Sequence, residues 1–368
     1  MRPARKAAKA FGQAKSPWMM ATVFGLWLVF ILWFGPQLVD MLKCYRTIPE
    51  LILLALYCLV LLFFWLMTAY YLSVLLFYWI AKPLPAAGVW RKSTPPIAIL
   101  YATCNDLQED ALDTYLEQDY PNFHLFILDD STEKAFQIRV DAYAAKSPKR
   151  ITVVRRTTRT GFKAGNLNFA LKNVITHYPI FAVVDADERL PEDFLSLTVP
   201  WLEKPGIAFA QACHMPNPRQ ESAFAHDIGP TIIPFWQVHC RPRNRYGSVV
   251  FMGHGALMKY DAWEQVGGFP EFVSEDFAFT MQLRESGFQG VYLEHVVCYE
   301  DFPVSYALFK QQQERYVSGS FEILLRRMGR LLRSKRVSLV EKLDFMLWSL
   351  PLYVPAIALF YVVLCCVG

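Results

Sequence analysis

From Leu51 to Ala81 the chain carries no charged side chain. A bilayer is crossed by about 20 apolar residues, so this run reads as a membrane helix with length to spare for tilt. A second uncharged run, Pro17 to Gly35 (PWMMATVFGLWLVFILWFG), has the same character, and Tyr and Trp near the ends of both suit a membrane interface. A third, Phe345 to Val367, contains Pro351 and Pro355, which membrane helices tolerate. Across its 368 residues the chain is 54% hydrophobic, more than a soluble domain normally shows. The first run is longer than a signal-peptide core and no small-residue cleavage pattern follows it, so it is expected to be retained.

Residues 1–16 form a basic tail with Arg2, Arg5, Lys6, Lys9 and Lys15 and no acid, which argues for a cytoplasmic amino terminus. Two spans within 17–81 then return the chain to the cytoplasm ahead of Lys82, Arg91 and Lys92. The polar middle is therefore expected to be cytoplasmic. The eight cysteines show no CxxC pair, and Cys58, Cys365 and Cys366 lie in apolar runs, so neither a zinc pattern nor a disulfide framework is indicated. A net charge of +4 is too small to argue for a nucleic-acid partner. Its basic residues concentrate beside the apolar runs, where lipid accounts for them.

Between about 95 and 303, IAILYAT, FHLFILDD, ITVVRR and IFAVVDAD read as short buried strands, while EKAFQIRVDAYAAK and AGNLNFALKNVITHY have helical spacing. This alternation implies an α/β domain with a mostly parallel sheet, in which ligands bind outside the carboxyl ends of the strands. Two of those ends carry acid pairs, Asp129 with Asp130 and Asp185 with Asp187. Two like charges at a strand end are costly unless something positive sits there, so each pair is either a ligand site or an ordinary solvated turn. A third pair, Glu275 and Asp276 in VSEDFAFTMQL, stands at an expected helix start, where acids also serve as caps.

These features stand in a fixed order: LDDS, RTGFKAGNLNFAL, VDAD, FAQACH, VSED and QQQERYVSG. In that order the chain resembles the processive family 2 glycosyltransferases, the cellulose synthase catalytic subunits and their mannan and hyaluronan synthase relatives, from about Pro95 to Gly319. The resemblance implies a GT-A-type (Rossmann-like) glycosyltransferase domain combined with α-helical transmembrane segments. It also implies interfacial helices over 304–340, where FEILLRRMGRLLRSKR reads as one basic amphipathic helix lying on anionic lipid. The implied partners are a nucleotide sugar, a glycan acceptor, membrane lipid and either further copies or accessory synthase subunits.

Sugar transfer from a nucleotide donor needs a hard cation, Mg2+ or Mn2+, held by one or two carboxylates and the diphosphate. Asp185 and Asp187 fit that task, with Asp187 as the direct ligand. The resemblance assigns Asp129 and Asp130 to the nucleoside, places Lys163 in the nucleotide-side loop and sets Gln211 on a substrate-side strand. Lys163 and Arg315 offset phosphate charge. Inversion needs one base, and Asp276, beside Glu275, is the candidate. Gln312, Arg315 and Tyr316 belong to the family's QxxRW motif, with Tyr316 standing where the family has the Trp that stacks on the acceptor. His254 and His295 are expected to be structural. The function implied is a membrane polysaccharide synthase using UDP-glucose. Single transfer to a lipid-linked acceptor is the alternative, since the chain stops just after its third span, and a non-catalytic scaffold subunit is a third reading.

Overall fold

The computed structural model describes residues 15–85 and 94–367. Arg2, Arg5, Lys6, Lys9, Arg91 and Lys92, on which the expected orientation rests, lie outside the described residues. The chain divides into two compact units. One comprises Pro83–Asn244 and Ser248–Val337, the other Lys15–Lys82, Arg245–Gly247 and the residues from Ser338 on.

In the first unit eight strands form one sheet: β1 Ile97–Thr103, β2 Phe123–Asp129, β3 Ile151–Val154, β4 Ile180–Val184, β5 Glu188–Arg189, β6 Ile207–Pro216, β7 Ala256–Lys259 and β8 Gln289–Glu300. Their order is β3-β2-β1-β4-β7-β6-β8-β5. The first four strands are parallel, as the alternating pattern implied. The sheet as a whole is mixed rather than mostly parallel, because β7 runs antiparallel between β4 and β6 and β5 runs antiparallel on β8. Both reversing strands are short, and so carry too little periodicity to be read from sequence. Register places Thr103 opposite Asp129 and Tyr101 opposite Val184, so β1, β2 and β4 end at one edge. β1 and β4 are apolar and buried almost throughout, as expected of strands covered on both faces.

Two tyrosines of this core reach up to that edge. Tyr101, from β1, donates its hydroxyl to the Ala186 carbonyl (3.4 Å), and Tyr115, from the helix Glu109–Leu116, donates to the carbonyls of Asp185 (2.9 Å) and Glu188. Tyr115 is fully buried. Burial first, then the charge of Glu188, holds its pKa well above the ordinary value, so it stays a donor. Beyond β8 the expected single basic helix is broken. Tyr306–Arg326 ends at Arg327, and Met328–Arg333 follows as a separate short helix. At the break Arg327 is buried and meets Glu285 at 2.9 Å.

Among the described residues the second unit holds three stretches long and apolar enough to cross a membrane, Trp18–Met41, Ile48–Ile80 and Leu339–Cys366. The first helix runs past the expected Gly35 to Leu42, with Pro36 inside it. Thr47 and Glu50 form a capping box that starts the second. The third stretch is two helices, Leu339–Ser349 and Val354–Val367, joined by a 3-10 turn over Leu350–Tyr353. Pro351 and Pro355 sit at that break, where their missing N–H groups leave no hydrogen bond unmade.

Tyr115→Phe strips a donor from two buried carbonyls and is expected to destabilise the fold by about 1–3 kcal/mol. A lowered Tm of the detergent-solubilised protein checks this, and an unchanged Tm contradicts it.

Candidate active site

β4 delivers the chain to Asp185, and the turn Asp185–Glu188 is closed by its own last side chain. Glu188 Oε2 accepts from the Asp185 N–H (3.3 Å) and from the Gly255 N–H (3.1 Å), tying this turn to the loop before β7. Asp185 forms an ion pair with Lys163, on the helix Phe162–Asn173, and the Lys163 ammonium also donates to the Gly253 carbonyl at 2.9 Å. Burial works against that ammonium, but Asp185, Glu275 and Asp276 together hold its pKa above the ordinary value. Burial and the like charge of Asp185 push Asp187 up to about 7. Such an acid pair, with hard oxygen donors and one member protonating near neutrality for want of positive charge, fits a divalent cation.

Glu275 and Asp276 open the helix Glu275–Ser286. Capping is part of their role, since Asp276 Oδ1 accepts from the Phe277 N–H at 2.7 Å while Ser274 makes no side-chain cap. The other oxygen lies beside Gly253, where a Cβ would stand 3.5 Å from it. Burial and the adjacent Asp276 push Glu275 up to about 7, and burial likewise raises Asp276. Acids from the Asp185 turn and from this helix thus share one cation, Lys163.

Tyr316 brings in a third segment. Its ring is 47% exposed, while partial burial and the charge of Glu300, with Asp276 and Asp185 also in reach, keep its hydroxyl pKa above the ordinary value. Gln312 and Arg315 share its helix and make no side-chain hydrogen bond or ion pair among the described residues. That helix docks through Gly319, where any Cβ would run into Ser274 Oγ.

The remaining sequence-derived residues are placed less as expected. Asp129 accepts from Arg155 Nε (2.7 Å) and the Ser131 N–H (2.9 Å), and Asp130 takes a fork from Arg156 at 2.9 and 2.6 Å. Both carboxylates stand at the expected strand end, but each already has a guanidinium partner. Gln211 is buried, and its amide is taken up by the backbone of residues 252–255, with 3.0 Å from the Met252 N–H and 2.9 Å to the His254 carbonyl. It positions that loop rather than facing open space.

Sequence reasoning missed the buried polar cluster behind the acids. His214 meets Glu188 at 3.0 Å, and His254 stacks on His214 with ring centres 4.3 Å apart. His254 lies between Glu188 (3.5 Å) and Glu300 (3.6 Å). Burial opposes its charge, yet Glu188 and Asp185 push its pKa up to about 10, so it adds a second cation to the acidic site. His254 is thus held by two carboxylates as well as by the His214 ring. A signal was present in Glu188 directly following Asp187, and in the glycines flanking His254. Gly255 has φ +57°, and a Cβ there would collide with His214 and Glu188. His295, by contrast, is exposed on β8 and takes no part.

Two substitutions test this assembly. Gly255→Ala is expected to cost more than ~3 kcal/mol of stability, from a disfavoured backbone and a clash with two buried groups, read as a fall in Tm. Gly319→Ala is expected to lower Tm as well, and adding Ser274→Ala to recover part of the loss; no recovery in the double variant contradicts the docking contact.

Comparison with known proteins bears on this geometry. The family described as Glycosyl transferase family group 2 matches residues 180–367, just over half of the chain. Among curated proteins, the probable glucomannan 4-beta-mannosyltransferase 10 of Arabidopsis thaliana is 26% identical over 232 residues, 59% of this chain and 41% of the relative. Glucomannan 4-beta-mannosyltransferase 7 of the same plant is 26% identical over 243 residues, 61% of this chain and 41% of the relative. The match thus spans about two fifths of the length of these relatives. Among solved structures, the mannosyltransferase PcManGT from Pyrobaculum calidifontis, in complex with GDP-Man and Mn2+, aligns with a TM-score of 0.61 at 24% identity. The alignment covers 82% of this chain and 86% of that one, and it shows the shared fold: a GT-A-type mixed α/β sheet.

Proposed function

Because the chain belongs to glycosyl transferase family group 2, we propose that it is a membrane-bound inverting glycosyltransferase that extends a β-linked glycan from a nucleotide sugar. The observation that carries this reading is the convergence on Lys163 of acids from two sequence-distant segments, Asp185 and the pair Glu275–Asp276. The donor sugar we propose is mannose, in place of the glucose implied by the resemblance to cellulose synthases. Both curated relatives are named mannosyltransferases, and the solved relative holds GDP-Man. The three apolar stretches support a multi-pass membrane protein, and the basic tail supports a cytoplasmic active site.

Asp187 and Asp185 would hold a divalent cation, Mg2+ or Mn2+, whose chemistry is to neutralise the departing diphosphate. This chain's own residues do the rest. Lys163 sets a positive charge beside Asp185, where phosphate oxygens are expected, and Arg315, exposed and without an ion pair among the described residues, serves the same purpose. Asp276 keeps one oxygen on its helix terminus and sets the other beside Gly253. That second oxygen takes the proton of the acceptor hydroxyl as the hydroxyl oxygen bonds the anomeric carbon and the bond from that carbon to the diphosphate breaks. Burial raises the Asp276 carboxyl, which makes it a stronger base than an exposed aspartate. Tyr316 offers an aromatic face to the acceptor. The arginine-paired Asp129 and Asp130 border the nucleoside, with Arg155 and Arg156 fixing their orientation.

Purified protein in nanodiscs, supplied with Mn2+ or Mg2+ and a panel of nucleotide sugars, is expected to turn over a mannosyl donor, with product and free nucleoside diphosphate both scored. Asp276→Asn is expected to lower kcat by at least 100-fold with donor binding within a few-fold of the parent. Asp187→Ala is expected to abolish cation-dependent donor binding. Full product formation by Asp276→Asn contradicts the assigned base. Transfer is expected to decline on acidification with a midpoint above 3.8, the ordinary aspartate value, since Asp276 is raised. A midpoint at or below that value contradicts the role of burial.

A further inference from the structure

The helix that opens with Glu275 and Asp276 closes on Glu285 and Ser286, and there the structure forms an open pocket of about 390 Å³. It is lined by Glu285, Arg330, Arg333, Ser334, Lys335 and Arg336. One acid faces four cations. That acid is already engaged: Glu285 Oε2 meets Arg327 at 2.9 Å and Arg330 at 3.2 Å. Arg327 is buried, with only 5% of its side chain exposed, so the charge of Glu285 is held to it by the cost of leaving a buried guanidinium alone. Arg330 is 75% exposed and makes the weaker claim on the shared oxygen.

Among the described residues the rest of the pocket has no negative partner. Arg333 and Lys335 are exposed and form no ion pair among the described residues. The Arg336 guanidinium donates to the Ser286 carbonyl at 3.3 Å, and its backbone N–H donates to Ser334 Oγ, also at 3.3 Å, so neither contact neutralises its charge. Self-repelling cations on one concave surface favour an anion with several acceptor oxygens. Guanidinium forks match phosphate in geometry as well as charge. In the chain, Arg336 stands shortly before Leu339, where the third apolar stretch begins, and basic clusters so placed meet the phosphates of anionic lipid.

We propose that this pocket is a phosphate-binding site, separate from the acids of the transfer reaction and independent of catalysis, whose ligand is a lipid headgroup or a soluble phosphate. The test uses the full chain purified in detergent and titrated calorimetrically with short-chain phosphatidylglycerol, with the matching diacylglycerol as the phosphate-free control and inorganic phosphate as competitor. The triple variant Arg333→Gln, Lys335→Gln, Arg336→Gln alters only exposed side chains and is expected to bind phosphatidylglycerol at least ten-fold more weakly. The charge-matched variant Lys134→Gln, Lys146→Gln, Lys172→Gln, also exposed but outside the pocket, is expected to bind as the parent does. Displacement by inorganic phosphate identifies a soluble phosphate as a sufficient ligand, and failure to displace identifies the lipid headgroup; both sustain the site. Equal phosphatidylglycerol binding by parent and pocket variant overturns it, as does an equal loss in the charge-matched variant or equal binding of diacylglycerol.

Discussion

The site exists because a single ammonium group, that of Lys163, is held among carboxylates that repel one another. Asp185 and Asp187 end one strand, and Glu275 and Asp276 open a helix nearly a hundred residues later. Crowded into one partly buried place, these acids would be driven toward protonation, and the raised pKa values of Asp187 and Glu275 show that pressure. Lys163 relieves it in part, and His254, charged between Glu188 and Glu300, relieves it from behind. What remains uncompensated is the affinity of the site for further positive charge.

Around that electrostatic arrangement the fold supplies rigidity. Tyr101 and Tyr115 hold the acidic turn by its backbone, Gln211 holds the loop carrying His254, and Gly319 lets the Tyr316 helix press on Ser274. None of these contacts touches open space, yet each fixes where a carboxylate or a ring points. In the proposed reaction the acids divide into two tasks, Asp187 and Asp185 toward a cation and Asp276 toward a proton.

Much of this was legible in the chain. β1, β2 and β4 are short, apolar and largely buried, so their composition alone marks them, and the acids at the ends of β2 and β4 fall where parallel sheets bind ligands. The two long apolar helices were legible because an uncharged run of that length has few alternatives in water. What was not legible depends on tertiary pairing. β7, in Ala256–Lys259, has too few residues to show a period, and its antiparallel insertion turns a parallel sheet into a mixed one. The arginine partners of Asp129 and Asp130 come from beyond β3, and Arg327, at the break in the basic segment, pairs with Glu285 on another element. The His214–Glu188–His254 cluster joins three distant segments by stacking and burial, neither of which spacing reveals.

The division of labour proposed for the two acid pairs makes a stereochemical prediction: with one base and one direct displacement, the anomeric centre inverts. ¹H NMR of the product, made from whichever α-linked nucleotide sugar the protein turns over, reads the configuration of the newly formed glycosidic bond. A β-linked product is the predicted result. An α-linked product would mean retention, and would contradict the assignment of Asp276 as the single base.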